Sequence, residues 1–424
     1  MLADCLSGKT GTVKSLEGKA KTIITNELKQ APITTTLDWG PAVFQATDLG
    51  SKVADNTMFV AHFDMFLPGQ GFPTGDNYFV AIAGTNYKSL WGWLVEDFGV
   101  WDTTPWEDGN PSAGKISTGS FLGRDILLGL PSSTTNPQTL VQYLKSAIGP
   151  SKKATVFVTG HSLGGTLAPL VALALEETKD QWGGPKATVQ CYPFAGPTPG
   201  DQTFVDYYNS KGIKTWRTWN RYDVAPHVWD EAQMAKIANL YGGFPTKGRV
   251  KKGWAIETVV QFFEDLAAGK NYKHLGTSKP FSNDPKNNPK AYADVDQPAC
   301  TSNLEKFALQ AIYQHTYAYI LYFAPKKLPA KPITCKDLNK LVSAEALEAV
   351  VQQGAVNLNT ATASELERLP RIGPKLAARI LRHRAIHDPF QRVEDLVQVH
   401  GIGAKTLALL APCLVVEELE LEHA

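Results

Sequence analysis

The chain alternates between short apolar runs rich in β-branched and aromatic residues and longer stretches whose apolar positions recur every three or four residues. The short runs predict strands at Thr57 to Phe66, Asn77 to Ile82, Ala154 to Thr159, Ala187 to Phe194 and Ile213 to Trp219. The longer stretches predict helices from Pro137 to Ile148, from just after Ser162 through Thr178, and from Leu304 to Phe323. Strands and helices taking turns in this way predict an α/β fold with a mostly parallel central sheet. The alternation stops at Ala324 to Pro332, where three prolines and three lysines fall within nine residues. Prolines cannot continue a helix and the lysines repel one another, so this stretch reads as an extended, solvated connector. The expected organisation is a first domain over 1–325, a linker over 326–335 and a small helical domain over 336–424.

One junction in the pattern carries chemistry. The run Ala154-Thr155-Val156-Phe157-Val158-Thr159 leads directly into Gly160-His161-Ser162-Leu163-Gly164-Gly165 and then a helix of small residues. A strand that ends at a glycine, presents one serine and restarts as a helix has the layout of a nucleophile elbow. The serine sits on a strained turn, so its neighbours two residues away on each side must be nearly free of side chain, and both are glycine. A serine hydroxyl needs a histidine to take its proton and a carboxylate to orient that histidine, in the chain order Ser, Asp or Glu, His. Asp223, on a turn just past the strand ending at Trp219, fits the acid. His62 precedes the serine and breaks the order, and His227 shares a loop with Asp223. His274 and His315 both remain candidates for the base. The N–H of Leu163, directly after the serine, is the expected first donor to a developing oxyanion.

Trp91, Trp93, Trp101 and Trp106 crowd one stretch with Phe98. That aromatic density predicts a lid which covers an acyl pocket and rests on a lipid interface when open.

Composition narrows the partners. The 424 residues are 43% hydrophobic and 20% charged, as in an ordinary folded protein. The net charge of +1 gives no global attraction to nucleic acid or anionic membrane. Residues 326–424 hold 13 Lys and Arg against 12 Asp and Glu, so neither part is strongly charged. No apolar run reaches the roughly 18 residues needed to span a bilayer. Asp4 interrupts the start of the chain where a signal peptide would be basic and then apolar, which leaves a cytoplasmic protein or a secreted one whose leader has been removed. Five cysteines, Cys5, Cys191, Cys300, Cys335 and Cys413, form no metal-binding spacing. A Cys300–Cys335 pair across the intervening helix is compatible with an oxidising compartment, and the sequence leaves it open. No metal or organic cofactor is implied.

The first domain resembles the class 3 lipases, the fungal-lipase-like branch of the α/β-hydrolases. The resemblance rests on the elbow Gly160 to Gly165, on Asn220-x-x-Asp223-x-x-Pro226 and on Tyr272-x-His274-x-Gly276, similar to a non-catalytic histidine segment of that family. It also rests on His315 followed by Tyr319, similar to the family's catalytic histidine. The resemblance therefore implies Ser162, Asp223 and His315 as the catalytic residues. Val80-Ala81-Ile82-Ala83-Gly84-Thr85 resembles the oxyanion segment, which implies Thr85 as the second donor beside Leu163, although Ala83 stands where the family usually has arginine. Ser89-x-x-x-Trp93-Leu94-x-x-Asp97 resembles the segment leading into the lid, while Ile116 to Phe121 departs from the family's His-x-Gly-Phe.

Two segments of the helical domain repeat at a period of 30, Leu369 to Ala377 and Val399 to Leu407. Each reads as a helix end, a glycine-centred hairpin and a new helix start, whose backbone N–H groups and positive dipole end suit a phosphate. The region of about 355–414, with its lead-in Val356 to Ala361, resembles the double helix-hairpin-helix domain of bacterial DNA-uptake receptors. That implies phosphate contacts at Gly373, Lys375, Gly401, Gly403 and Lys405, with Arg379, Arg382 and Arg384 adding charge and Arg371 standing where a glycine is usual. The expected binding is to the DNA backbone, independent of sequence and sensitive to salt. The acidic tail from Glu417 to Glu422 opposes it, and the last four residues resemble a vector-derived end.

The expected function is a serine carboxylic-ester hydrolase, a triacylglycerol lipase acting through an acyl-enzyme on Ser162, with an appended DNA-binding-type domain. A phospholipase A, a short-chain esterase, and a DNA-binding module carried on a hydrolase scaffold are the alternatives.

Overall fold

The computed structural model describes residues 9–31, 33–45, 56–64, 76–84, 100, 102–132, 137–150, 152–329, 333–341, 355–367, 369, 372–386, 389–403, 406–407, 410–411 and 414–416. At its centre is a seven-stranded sheet of β1 (Thr35–Phe44), β2 (Asn56–Asp64), β3 (Asp76–Ile82), β4 (Ala154–His161), β5 (Ala187–Phe194), β6 (Lys214–Asn220) and β7 (Thr277–Phe281), lying side by side in chain order. The pairs from β3 to β7 are all parallel, while β1–β2 and β2–β3 are antiparallel. The mostly parallel sheet expected from the alternation is therefore present.

The two edge strands were not legible in the pattern, for different reasons. In β1, Gly40-Pro41 interrupts the run, and the register shifts on either side of Trp39 absorb it. The strand β7 reads Thr-Ser-Lys-Pro-Phe and is exposed except at Phe281, so it has no apolar face to announce it.

Helices cover both faces of the sheet. The helix α1 (Val13–Leu28) lays Leu16, Ala20 and Ile24 on Val43, Phe59, Ala61 and Ala83. The helices α2 (Thr118–Gly129) and α3 (Leu140–Ala147) follow, the latter started by a capping box of Thr139 and Gln142. The helix α4 (Leu163–Glu177) is buried nearly all round and packs on β4 and β5, which fits its lack of a polar face. Then come α5 (Gln202–Ser210) and α6 (Trp254–Ala267).

The single helix expected over Leu304 to Phe323 is two, α7 (Asn303–His315) and α8 (Tyr317–Phe323). Thr316 breaks them with φ −121° and ψ −68°, and its hydroxyl donates to the carbonyl of Ile312 at 2.7 Å. A β-branched hydroxyl bonding back to the preceding turn offers the backbone an alternative to the helix ladder. The break turns His315 and Tyr319 onto one site.

Beyond α8, the helix α9 (Cys335–Leu341) packs against α7 and buries Cys335 and Leu338 in the same core as the sheet. A disulfide joins Cys300 to Cys335 with their Cα atoms 5.4 Å apart, and Cys191 is a buried free thiol. The small helices α10 (Ala363–Glu367) and α11 (Pro374–Ile386) belong to a separate core of Leu358, Leu366, Ile380, Leu396, Leu410 and their neighbours. A two-residue parallel ladder of Val356-Asn357 with Leu414-Val415 closes that unit end to end. Among the described residues no helix is long and apolar enough to cross a membrane.

Candidate functional site

Ser162 stands at the junction of β4 and α4 with φ 61° and ψ −125°, a strained conformation for a residue with a side chain. The bend is held from three sides. The Ser162 N–H donates to the carbonyl of Phe194 on β5 at 3.0 Å, and the Ser162 carbonyl accepts from Thr166 N–H at 3.1 Å. A Cβ on Gly160 would collide with the backbone of Gly164, and one on Gly164 with the backbone of Ile82 and Ala83. Glycine is needed there because main chain meets main chain. The same contact sets the end of β3, the lead-in to Thr85, against the elbow.

Asp223 follows β6 on a turn and is fully buried. Its carboxylate is satisfied on every side. Both oxygens lie 2.9 Å from His315 Nδ1, Tyr319 Oη donates to Oδ2 at 2.8 Å, and the Ala225 N–H donates to Oδ1 at 3.0 Å. A carboxylate only accepts, so Nδ1 of His315 carries the proton and Nε2 is the side that can take one. Burial, followed by the charge of Asp223, pushes the Tyr319 phenol well above its ordinary range, so it remains a neutral donor. Tyr319 also accepts from the Asn220 N–H at 3.0 Å, and Asn220 Nδ2 donates to the Gln314 carbonyl at 3.0 Å and to its Oε1 at 2.8 Å. The end of β6 is thereby laced to the end of α7.

The ring of His161, next in sequence to Ser162, lies 4.7 Å from the ring of His315 and 5.0 Å from that of Tyr319. Asp223 and His315 are thus joined directly, the residue before Ser162 stands beside them, and Ser162 and His315 are almost wholly buried.

The other histidines have different partners. His62 stacks on Tyr78 and faces Asp38 from β2. His227 Nδ1 donates to the Asp223 carbonyl at 2.6 Å, and burial lowers its pKa. His274 Nε2 donates to the Pro226 carbonyl at 2.7 Å, which leaves His315 as the imidazole on the carboxylate.

Leu163 opens α4, so its N–H belongs to the helix's first turn and has no partner within the helix. Thr85, Trp91, Trp93 and Trp101 lie outside the described residues. Trp106 departs from the lid expectation. It is 6% exposed and part of the main core, its Nε1 donates to Glu177 at 3.2 Å, and Arg124 lies over its ring. Aromatic density in the sequence therefore does not by itself tell a core tryptophan from an exposed one.

What sequence reasoning missed was the lacing. Asn220 was part of a motif, yet nothing in the chain announced that Gln314 would meet it 94 residues later.

In the C-terminal unit the 30-residue repeat is a repeat of backbone geometry. Gly373 O accepts from Leu376 N–H and Ala377 N–H at 2.9 and 3.0 Å, and Gly403 O accepts from Thr406 N–H and Leu407 N–H at 2.9 and 2.9 Å. Gly401 has φ 102°, which a side chain would strain. Gly373, Lys375, Gly401, Gly403 and Arg382 are exposed, while Arg371 and Lys405 lie outside the described residues. Two of the arginines are braces. Arg379 Nη1 donates to the His400 carbonyl at 3.1 Å, and Arg384 Nη1 donates to the carbonyls of Leu358 and Ala361 at 3.0 Å.

Comparison with known proteins finds two separate matches. Residues 79–232 match the family model of lipase (class 3), and residues 351–415 that of the helix-hairpin-helix motif. A lipase of Rhizomucor miehei is 42% identical over 73 residues, 17% of this chain and 20% of that protein. ComE operon protein 1 of Bacillus subtilis (strain 168) is 34% identical over 83 residues, 16% of this chain and 40% of that protein. The chain thus spans about a fifth of the one relative and two fifths of the other. The crystal structure of M37 lipase superposes with a TM-score of 0.62 at 25% identity, covering 80% of this chain and 94% of that one. The molecule therefore carries a class 3 lipase domain of α/β-hydrolase fold and a C-terminal helix-hairpin-helix motif. Ser162 and Asp223 fall inside the matched lipase segment, and His315 falls beyond it.

Proposed function

We propose that this protein is a serine carboxylic-ester hydrolase, a triacylglycerol lipase, whose C-terminal unit binds DNA through the phosphate backbone. The observation that supports the enzymatic reading is a strained serine at φ 61°, next in the chain to a His161 ring that lies 4.7 Å from His315, whose Nδ1 faces a buried carboxylate at 2.9 Å. In this reading His315 Nε2 takes the proton of Ser162 Oγ as the oxygen attacks the ester carbonyl. The negative charge on the tetrahedral oxygen is met by the N–H groups of Leu163 and Thr85. Collapse expels the alcohol, which receives its proton from His315, and water then repeats the sequence on the acyl-enzyme. Asp223 keeps its charge and holds the imidazole in the useful tautomer.

Trp91, Trp93 and Trp101 are assigned to a cover over the acyl pocket that rests on a lipid interface, and Trp106 to its support. Gly373, Lys375, Gly401, Gly403 and Lys405 are assigned to phosphate. The division into two units is kept with its boundary moved to Leu341, because Cys335 and Leu338 are buried with the hydrolase core. Covalent labelling by a fluorophosphonate tests the enzyme directly. Labelling is expected in the native protein and absent in Ser162→Ala, and a native protein that is not labelled refutes the reading. Rates on p-nitrophenyl esters of rising acyl length, with and without an emulsion, separate a lipase from a short-chain esterase.

A further inference from the structure

Behind the elbow lies a small cavity walled by Gly165 and Pro169 of α4, by Gly196 and Pro197 after β5, and by Arg217 and His274. It has about 10 Å³ of space for the centre of a water-sized sphere, close to what a single water requires. Glycine is needed in its wall, since a Cβ on Gly165 would strike the carbonyl of Phe194.

Its two polar walls are opposite in kind. His274 donates from Nε2 to the Pro226 carbonyl, which can only accept, so the proton of the neutral ring is on Nε2. Burial and, after it, the charge of Arg217 hold that ring's pKa well below its ordinary value, so it is neutral. Nδ1 is therefore a buried lone pair, with no hydrogen-bond partner among the described residues. Facing it, burial lowers the Arg217 pKa only to about 10, so the guanidinium is charged near neutral pH. Its Nη2 reaches Ser278 Oγ at 3.4 Å, while Nε and Nη1 are buried with no hydrogen-bond partner among the described residues. The occupant must accept from a cation and donate to an imidazole. A halide or carboxylate would confront the Nδ1 lone pair, and a metal ion would confront the guanidinium.

We propose that Arg217 and His274 hold one internal water, which accepts from Arg217, donates to His274 Nδ1 and so makes His274 a positioning residue for Asp223. The link is the Pro226 carbonyl, three residues past Asp223, which His274 Nε2 grips at 2.7 Å. The same loop is held by His227 on the Asp223 carbonyl at 2.6 Å and by Lys273 on Asp230 at 3.3 Å. With its tautomer fixed by the water, His274 keeps the loop, and with it the carboxylate, in register with His315. This role rests on the hydrolase reading, whereas the water site itself does not.

The test has a diffraction arm and a kinetic arm. A high-resolution crystal structure of the full chain, soaked in bromide, is expected to show a water within hydrogen-bond distance of Arg217 and His274 Nδ1 and no anomalous peak there. A bromide peak, or a dry cavity, overturns the site. In the kinetic arm His274→Gln, whose amide nitrogen reproduces Nε2, keeps kcat within about threefold. His274→Phe loses kcat on the order of tenfold to a hundredfold, with KM for a short soluble ester unchanged. A folded His274→Phe protein with native kcat overturns the positioning role. If that variant does not fold, His274→Asn, which retains a polar group near Nδ1 but none at Nε2, takes its place, and equal kcat in the Gln and Asn variants overturns the role. A native protein that neither hydrolyses esters nor takes a fluorophosphonate refutes the hydrolase reading instead, and the diffraction arm still decides the water.

Discussion

Asp223 and Lys375 show how differently the two ends of this molecule are built. Asp223 is fully buried, and its carboxylate meets His315, Tyr319 and the Ala225 N–H at once. Lys375 is exposed on the first turn of α11, and what the structure fixes around it is a backbone turn that recurs 30 residues later. Bond-making chemistry needs donors and acceptors held to a fraction of an ångström, and a large core can hold them. Attraction to a polyanion needs only charge and N–H groups turned outward, which a small core can present. The hydrolase end should therefore respond steeply to single-atom changes and the C-terminal end shallowly.

The steepest expected response is Asp223→Asn. The amide cannot accept from Nδ1–H and also receive from Tyr319 and Ala225 as the carboxylate does, so His315 is driven to the tautomer that cannot take the serine proton. A fall in kcat of roughly 10⁴ is expected in an ester assay while the melting temperature moves little. A drop of less than tenfold would mean that the site does not depend on this carboxylate.

Next comes the covalent tie between the hydrolase core and the start of the C-terminal segment. Cys300 and Cys335 are 35 residues apart, so joining them restricts a loop whose closure is worth about 4 kcal/mol in the unfolded chain. The paired Cys300→Ser, Cys335→Ser variant is expected to lose about that much stability in urea unfolding followed by tryptophan fluorescence. Its DNA affinity should stay unchanged, because the bridge braces α7 and not the hairpins. A variant as stable as the native protein would show that packing of α9 on α7 suffices by itself.

Smaller again is Tyr319→Phe, which removes the hydrogen bond to the buried Asp223 carboxylate and the acceptor of the Asn220 N–H, and leaves the ring. The loss is expected at about 1.5–3 kcal/mol, read as a fall in kcat of about tenfold or more with KM unchanged. An unaltered kcat would reduce Tyr319 to packing against His161 and Phe281.

The same contrast governs what could be seen in the sequence. The five inner strands and the glycine-bracketed turn at Ser162 were legible because each is a local pattern, an apolar run or a strand end met by small residues. The choice between His274 and His315 needed more than the residues themselves, since each stands beside tyrosines and a helix or strand end. Geometry separates them through one contact, the carboxylate on His315 Nδ1. The edge strands β1 and β7 were invisible because one is broken by Gly40-Pro41 and the other is almost wholly polar in its exposure. The break at Thr316 was invisible for a subtler reason, since apolar periodicity runs straight through it. In the C-terminal unit the repeat announced both turns, yet it counted Arg379 and Arg384 only as nearby charge, and it gave no sign that their guanidinium groups hold the unit's own carbonyls.

The shallowest response is expected from Lys375→Ala. Lys375 is exposed beside Gly373 in the first turn of α11, at the positive end of the helix dipole. If it neutralises one phosphate, its loss should weaken binding to any duplex by a similar factor and reduce the slope of log affinity against log salt by about 1. Fluorescence anisotropy on two unrelated duplexes at several salt concentrations reads both quantities. Arg384→Ala makes the opposite kind of change, removing donors from the Leu358 and Ala361 carbonyls, and should lower the stability of the unit with little change in salt slope. If the two variants behaved alike, the C-terminal unit would be as tightly over-determined as the hydrolase site, and the contrast between the two ends would fail.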